Sequence, residues 1–180
     1  MTQWLNAKGV KADYFLGHSV GEIAAAWASG SLSLKDAITV IVVRSRAQAL
    51  TRGTGRMAAV NLSLSAAKAL LERLNLGSLI EIACHNSIDS VTLAGTLADL
   101  SKVEQACQQD NIFYRLLDLD YAFHSRFMDP LYGHLISALA DIKPKISQQF
   151  ISTIDDLDSS QQLLDAEYWW RNIRQRVLFA

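Results

Sequence analysis

Cysteine is scarce in this 180-residue chain: Cys84 and Cys107 are the only two, and their spacing fits neither a metal site nor a redox pair. Cys84 lies in an apolar run, where a small core thiol is expected. No stretch is long and apolar enough to span a bilayer, and the first residues lack the charged start and apolar core of a signal peptide. These absences make a reducing cytoplasm the expected setting and remove a membrane as partner. Basic runs are missing too, and the net charge is −1, so the electrostatic footprint of a nucleic-acid binder is absent. No internal repeat or low-complexity segment stands out. No metal site is expected. What remains is a globular composition, 50% hydrophobic and 19% charged, with length for one good core or two small ones.

The most informative residues are Gly17-His18-Ser19-Val20-Gly21, placed after the apolar run Tyr14-Phe15-Leu16 and before the helix-forming stretch Glu22–Trp27. In that context Gly-x-Ser-x-Gly predicts a nucleophile elbow, a strand turning sharply into a helix with the serine at its apex. Gly17 and Gly21 lack Cβ atoms, which lets the strand and helix backbones approach around a strained turn. The Ser19 hydroxyl is then presented at a helix N-terminus, where the Val20 amide and the helix dipole face developing negative charge. The same five residues also fit a glycine-rich strand–helix turn of any α/β domain, so their chemistry depends on partners elsewhere.

Downstream, a helix from about Val20 to Gly30 is followed by Ser33 and Asp36, spaced as a capping box. They open a long helix through Ala37, Ile38, Ile41, Val42, Ser45 and Ala49 that ends at Gly53-Thr54-Gly55. Arg44 sits at the edge of its apolar stripe. From Met57 to Asp118 the pattern predicts strand 57–61, a helix through Leu64–Leu74, strands 79–84 and 91–94 joined by turn residues 85–89, a helix from Leu97 to Cys107, and strand 112–117. That β-α-β-β-α-β order is the ferredoxin-like split motif. The chain returns through Tyr121-Ala122-Phe123-His124-Ser125 into a helix of about 127–140. Pro144 breaks the pattern, a strand is expected at 149–153 and a solvated loop at 155–160, and Tyr168-Trp169-Trp170 falls in a final short helix or turn. The expected class is therefore α/β: a partial α/β-hydrolase-like parallel-sheet core, residues 1–55 and 119–180, with a ferredoxin-like subdomain inserted at 56–118. The apolar N-terminal helix around Trp4 and the apolar end Val177-Leu178-Phe179 suggest the middle of a larger domain.

A serine needs a base. Of four histidines, His18 is adjacent to Ser19 but directed away by the elbow, so it is expected to line the pocket. His85 falls in a turn and His134 in mid-helix. His124 lies in a loop where the chain re-enters the main piece, as catalytic groups on rigid scaffolds often do. It is the best base. No acidic partner for it is visible, since Asp118 and Asp120 are too close along an extended segment, and a dyad fits better than a triad. Arg44 either snorkels to water or meets a substrate carboxylate with its planar fork.

Taken in order, Leu16–Ala26, Arg44-Ser45, Met57–Val60, Ala83–Ser87, Ala122–Ser125, Tyr168-Trp169 and Val177–Phe179 resemble the malonyl-type acyltransferase domains of polyketide synthases and animal-type fatty acid synthases. The resemblance covers nearly the whole chain and implies truncation at both ends. It implies that Ser19 attacks an acyl-coenzyme A thioester with His124 as base, and that the acyl group passes to the phosphopantetheine thiol of an acyl carrier protein. It also implies that Val20 gives one oxyanion-hole amide and that Arg44 pairs with the free carboxylate of malonyl-CoA or methylmalonyl-CoA. A backbone carbonyl near the Tyr-Trp segment orients the histidine in this family, and Asn172 is the matching position. No tightly bound cofactor is implied; neighbouring synthase domains such as a ketosynthase are. Two departures stand out. Tyr121-Ala122-Phe123-His124 is a hybrid of the family's malonyl and methylmalonyl patterns, with Phe123 favouring malonyl and Tyr121 the reverse. The glutamine loop that supplies the second oxyanion donor belongs upstream of residue 1. A serine esterase, or a remnant that keeps the motifs without the activity, would carry the same elbow.

Overall fold

The computed structural model describes residues 1–154 and 163–180; the loop expected at 155–160 lies outside them. A short helix α1 (Thr2–Ala7) leads to strand β1 (Phe15–Leu16), the elbow, and helix α2 (Gly21–Ala28). Helix α3 (Leu34–Ala49) starts as its sequence predicts. Ser33 is the N-cap, its Oγ accepting from the Asp36 amide at 3.0 Å while donating to the Asp36 carboxylate at 2.8 Å.

Six further elements form a split β-α-β-β-α-β unit. They are β2 (Arg56–Val60), α4 (Leu64–Arg73), the hairpin β3 (Glu81–Ser87) and β4 (Ser90–Gly95), α5 (Leu97–Gln109), and β5 (Tyr114–Leu116). The strands run in the order β5-β2-β4-β3, with antiparallel neighbours throughout. Alternation along the strands divides the side chains between two faces. Ala58, Val60, Ile82, Val91 and Leu93 pack against Leu70, Leu71, Leu100 and Val103 of the two helices. Met57, Ala83 and Ala94 face the other way, onto Ala122 and Val177.

After a 3-10 segment (Arg126–Leu131) come α6 (Tyr132–Ala138), β6 (Phe150–Ile151), α7 (Ala166–Arg174) and β7 (Val177–Leu178). β1 and β6 pair in parallel, Phe15 opposite Phe150. The larger core gathers around them from α2, α3, α6 and α7, with Val40, Leu135, Leu164, Tyr168 and Trp169 almost fully buried.

Three expectations change. The helix expected at 127–140 is split, because Pro130 lacks an N–H and the first six residues wind as 3-10 helix. The turn expected at 85–89 shortens to Ile88-Asp89, since His85 and Asn86 continue β3. The reason is β7: it lies parallel to β3, Cys84 opposite Val177 and His85 opposite Leu178, and extends the sheet at that point. Sequence grouped Val177–Phe179 with the larger core, yet β7 is hydrogen-bonded into the smaller sheet. Ile154 bridges to Val177 and the Leu178 amide donates to the Thr153 carbonyl at 2.7 Å, so this strand ties the two cores together.

The two elbow glycines are not equivalent. A Cβ on Gly17 would lie 2.1 Å from the Gly21 carbonyl carbon, whereas one on Gly21 meets nothing. Gly17 alone permits the close approach. Gly17→Ala is therefore expected to lower stability by about 1–3 kcal/mol or more, while Gly21→Ala at the first turn of α2 stays within about 0.5 kcal/mol of the parent. Urea unfolding midpoints of the two variants check this; equal losses would contradict it.

Candidate active site

The elbow sets Ser19 in the left-handed region, φ 52°, a conformation that costs about 1–3 kcal/mol in a non-glycine residue. The chain holds it there through Gly21 and Glu22 amides that donate to the His18 and Ser19 carbonyls at 2.9 and 3.0 Å. The Val20 N–H has no acceptor among the described residues, and Val20 itself is half exposed. An N–H left free at a helix N-terminus beside the nucleophile suits an oxyanion.

His124 is the second strained residue, φ 57°, and is 4% exposed. Its amide donates to the Ile173 carbonyl at 3.0 Å. Its ring is fixed at both nitrogens: Nδ1–H donates to the Gln175 carbonyl at 2.9 Å, and Nε2 accepts from the Ser19 hydroxyl at 2.7 Å. A carbonyl on Nδ1 selects the tautomer whose Nε2 lone pair faces the serine. That carbonyl belongs to Gln175, which corrects the expectation that Asn172 provides it. Asn172 lies three residues earlier, inside α7, and it is its side chain that reaches the site. Burial, and then the positive charge of Arg44, push the His124 imidazole down to about 3, against the pull of the Gln175 carbonyl. The imidazole is therefore neutral at physiological pH, the form able to accept a proton.

The loop carrying His124 is clamped from β3. Glu81 accepts from the Arg126 amide and Nε at 2.8 Å each and from Arg174 Nη1 at 2.9 Å. Although burial opposes it, these donors hold the Glu81 carboxyl below its ordinary range. Arg126 follows His124 by two positions and Arg174 precedes Gln175, so one carboxylate fixes the ring and its orienting carbonyl together. His124 also lines a cavity of 420 Å³ with Lys68, Ile82, Arg174 and Arg176; Ser19 and Arg44 are not on its wall.

Arg44 does not snorkel. Ala37, Val40, Arg44 and Ala47 form the buried stripe of α3, and Arg44 is 4% exposed. Nη2 donates to Ser19 Oγ at 2.8 Å, Nη1 donates to Asn172 Oδ1 at 2.7 Å, and the buried Nε has no partner among the described residues. Burial lowers its pKa to about 10, partly offset by Glu22, so it stays charged. Hydroxyl, imidazole and guanidinium thus converge on one oxygen.

Two contributors escaped the sequence reading. Gln175 acts through its backbone, which residue identity does not reveal. Glu22 did leave a signal, a carboxylate in a helix whose other inward residues are Ile23, Ala25 and Ala26. His18 donates from Nε2 to Asn86 Oδ1 at 3.1 Å and meets the Phe179 ring edge-on at 5.2 Å, bridging elbow and smaller sheet. Tyr121 stacks on Phe123 at 4.9 Å, and Phe123 packs against both the larger core and the far face of the sheet. Neither bonds to Ser19, so their part in substrate choice rests on their place beside His124. Cys84 is buried and its thiol is pushed up to about 12, which makes it inert.

A strand-to-helix elbow whose serine touches an imidazole and a buried guanidinium defines an α/β protein of the serine-nucleophile class. The chain belongs to the acyl transferase domain family, whose sequence profile matches residues 1–180. It is 36% identical over 171 residues to mycoketide-CoA synthase of Mycobacterium tuberculosis and 37% identical over 174 residues to pikromycin polyketide synthase component PikAII of Streptomyces venezuelae. These matches take in 94% and 96% of this chain but only 4% and 5% of the synthases. Among solved structures, the acyltransferase domain from module 8 of the salinomycin polyketide synthase superposes with a TM-score of 0.89 at 33% identity, covering 97% of this chain and 41% of that one. The acyltransferase domain of PpsC of Mycobacterium tuberculosis gives 0.90 at 30%, covering 99% and 55%.

Because the folded-state imidazole titrates far below 6.5, the rate at which phenylmethylsulfonyl fluoride labels Ser19 is expected to be flat from pH 8 to pH 5. A sigmoidal loss centred near pH 6.5 would contradict the buried, cation-flanked base.

Proposed function

We propose that this chain is the central part of an acyltransferase domain of a multidomain polyketide or fatty acid synthase. It takes a malonyl-type acyl group from coenzyme A onto Ser19 and passes it to the phosphopantetheine thiol of an acyl carrier protein. The observation that carries this reading is the double contact at Ser19 Oγ, with the His124 base at 2.7 Å and the Arg44 cation at 2.8 Å. A base alone suits any ester. A buried cation on the same oxygen suits an acyl group that brings its own carboxylate.

The geometry supports the following sequence. The carboxylate of the incoming thioester pairs with Arg44, and Nη2 leaves Ser19 Oγ, freeing an oxygen lone pair. His124 Nε2 takes the serine proton as Oγ attacks the thioester carbonyl, and the oxyanion faces the Val20 N–H. Collapse breaks the C–S bond, and the thiolate of coenzyme A leaves with the proton from Nε2. The carrier thiol then gives its proton to Nε2 and attacks the serine ester, and Ser19 recovers its hydrogen. Nothing is oxidised or reduced and no water is consumed. Phe123 beside the base favours malonyl over its C2-substituted analogues by about 1–3 kcal/mol per methyl group excluded.

The same reading places the β-α-β-β-α-β unit as a ferredoxin-like insert at 56–118 within a hydrolase-like core formed by 1–55 and 119–180. A neighbouring ketosynthase would consume the loaded carrier.

Intact-mass analysis after mixing with malonyl-CoA is expected to show a malonyl adduct that maps to Ser19 and disappears in Ser19→Ala. Free malonate without any adduct would point to a hydrolase, and neither product to a chain without acyl transfer.

A further inference from the structure

Among the described residues Arg44 is a buried cation with no carboxylate in contact, and its nearest counter-charge sits one side chain away. Asn172 lies between them. Its Oδ1 accepts from Arg44 Nη1 at 2.7 Å, and its Nδ2 donates to Glu22 Oε2 at 2.7 Å. Glu22 is fully buried and saturated by four donors: the Thr153 amide, the Thr153 hydroxyl at 2.8 Å, the Tyr168 hydroxyl at 2.7 Å and Asn172. These donors come from the segment after β6 and from α7, while Glu22 is the second residue of α2. The carboxylate is therefore held rigidly and cannot swing to the guanidinium.

We propose that Glu22 and Asn172 form an amide-spaced counterion that makes Arg44 selective for acyl groups bearing a free carboxylate. The inference rests on the acyl-transfer reading above and deepens it. A direct Glu22–Arg44 pair would neutralise the cation and occupy the donor pair that a substrate carboxylate needs. With no counter-charge at all, the buried guanidinium would stand uncompensated. The asparagine spacer avoids both: the charge is balanced at a distance while Nε and Nη2 keep no internal carboxylate. Asn172 is a positioning residue here, and Glu22 acts through it.

The test exchanges the two side chains in function. Glu22→Gln alone sets an NH2 group against Asn172 Nδ2, and Asn172→Asp alone sets two carboxylates together. Both single variants should unfold at lower denaturant than the parent. In the double variant Glu22→Gln/Asn172→Asp the glutamine donates to the new aspartate and the aspartate accepts from Arg44, so the net charge and both of those hydrogen bonds are restored, while the longer bond from Asn172 Nδ2 to the Ser19 carbonyl, 3.3 Å, is lost. The negative charge has moved into contact with Arg44.

The double variant is expected to unfold at higher denaturant than either single variant, and its KM for malonyl-CoA is expected to rise at least about tenfold more than its KM for acetyl-CoA, equivalent to about 1.4 kcal/mol. Full recovery of malonyl loading would show that the position of the charge is irrelevant. Equal losses with both thioesters would show a merely structural role. Either overturns the inference. If the double variant does not fold, Asn172→Ala decides: removal of the spacer should raise the malonyl KM by a larger factor than the acetyl KM, and an unchanged ratio of the two overturns the proposal. A parent chain that loads neither thioester removes the acyl-transfer reading and this inference with it. A parent that loads malonyl while the variants show no selective effect removes the inference alone.

Discussion

Burying a guanidinium is the constraint around which this chain is arranged. An isolated charge taken out of water costs several kcal/mol even after relaxation, and Arg44 occupies a position in α3 where the flanking stripe residues are alanine and valine. The chain offsets that cost without contact from a carboxylate. Asn172 and Ser19 accept two of the five N–H donors, and Glu22 supplies the balancing charge from beyond the asparagine. The Glu22 cluster also joins α2, the segment after β6 and α7, so the residues that stabilise the cation are the residues that close the larger core.

Strain is concentrated at the same place. Ser19 and His124 both adopt left-handed backbone conformations, Ser19 held by local contacts within the elbow and His124 by contacts distant in sequence. The elbow depends on Gly17 lying against Gly21. The histidine loop depends on the Ile173 and Gln175 carbonyls and on the Glu81 clamp. β7 links these supports, because it pairs with β3 and receives the Ile154 bridge from the larger core. The hydroxyl and the imidazole are 105 positions apart in sequence.

Much of this was legible in the sequence, for physical reasons. The elbow reads clearly because only glycine tolerates the approach at position 17. The capping box at Ser33 and Asp36 is local chemistry, and the strands from Met57 to Leu117 alternate between two buried faces. Ser19, His124 and Arg44 could be named because each combines an unusual residue type with a telling place. The histidine-orienting carbonyl could not be assigned, since a main-chain group leaves no mark on residue identity, and Asn172 was credited with the role that Gln175 holds. The pairing of β7 with β3 was likewise invisible: a two-residue strand has no periodicity, and its partner lies more than ninety positions earlier. Pro130 was a local signal for the split after His124, but the apolar spacing of the following helix obscured it.

The central claim is that the cation beside the serine exists to receive a carboxylate carried by the acyl group. The most direct measurement is the ratio of Ser19 loading rates from malonyl-CoA and acetyl-CoA in Arg44→Ala against the parent. The account predicts a parent ratio above one that falls at least about tenfold in the variant, with acetyl loading unchanged or faster. An unchanged ratio would contradict it.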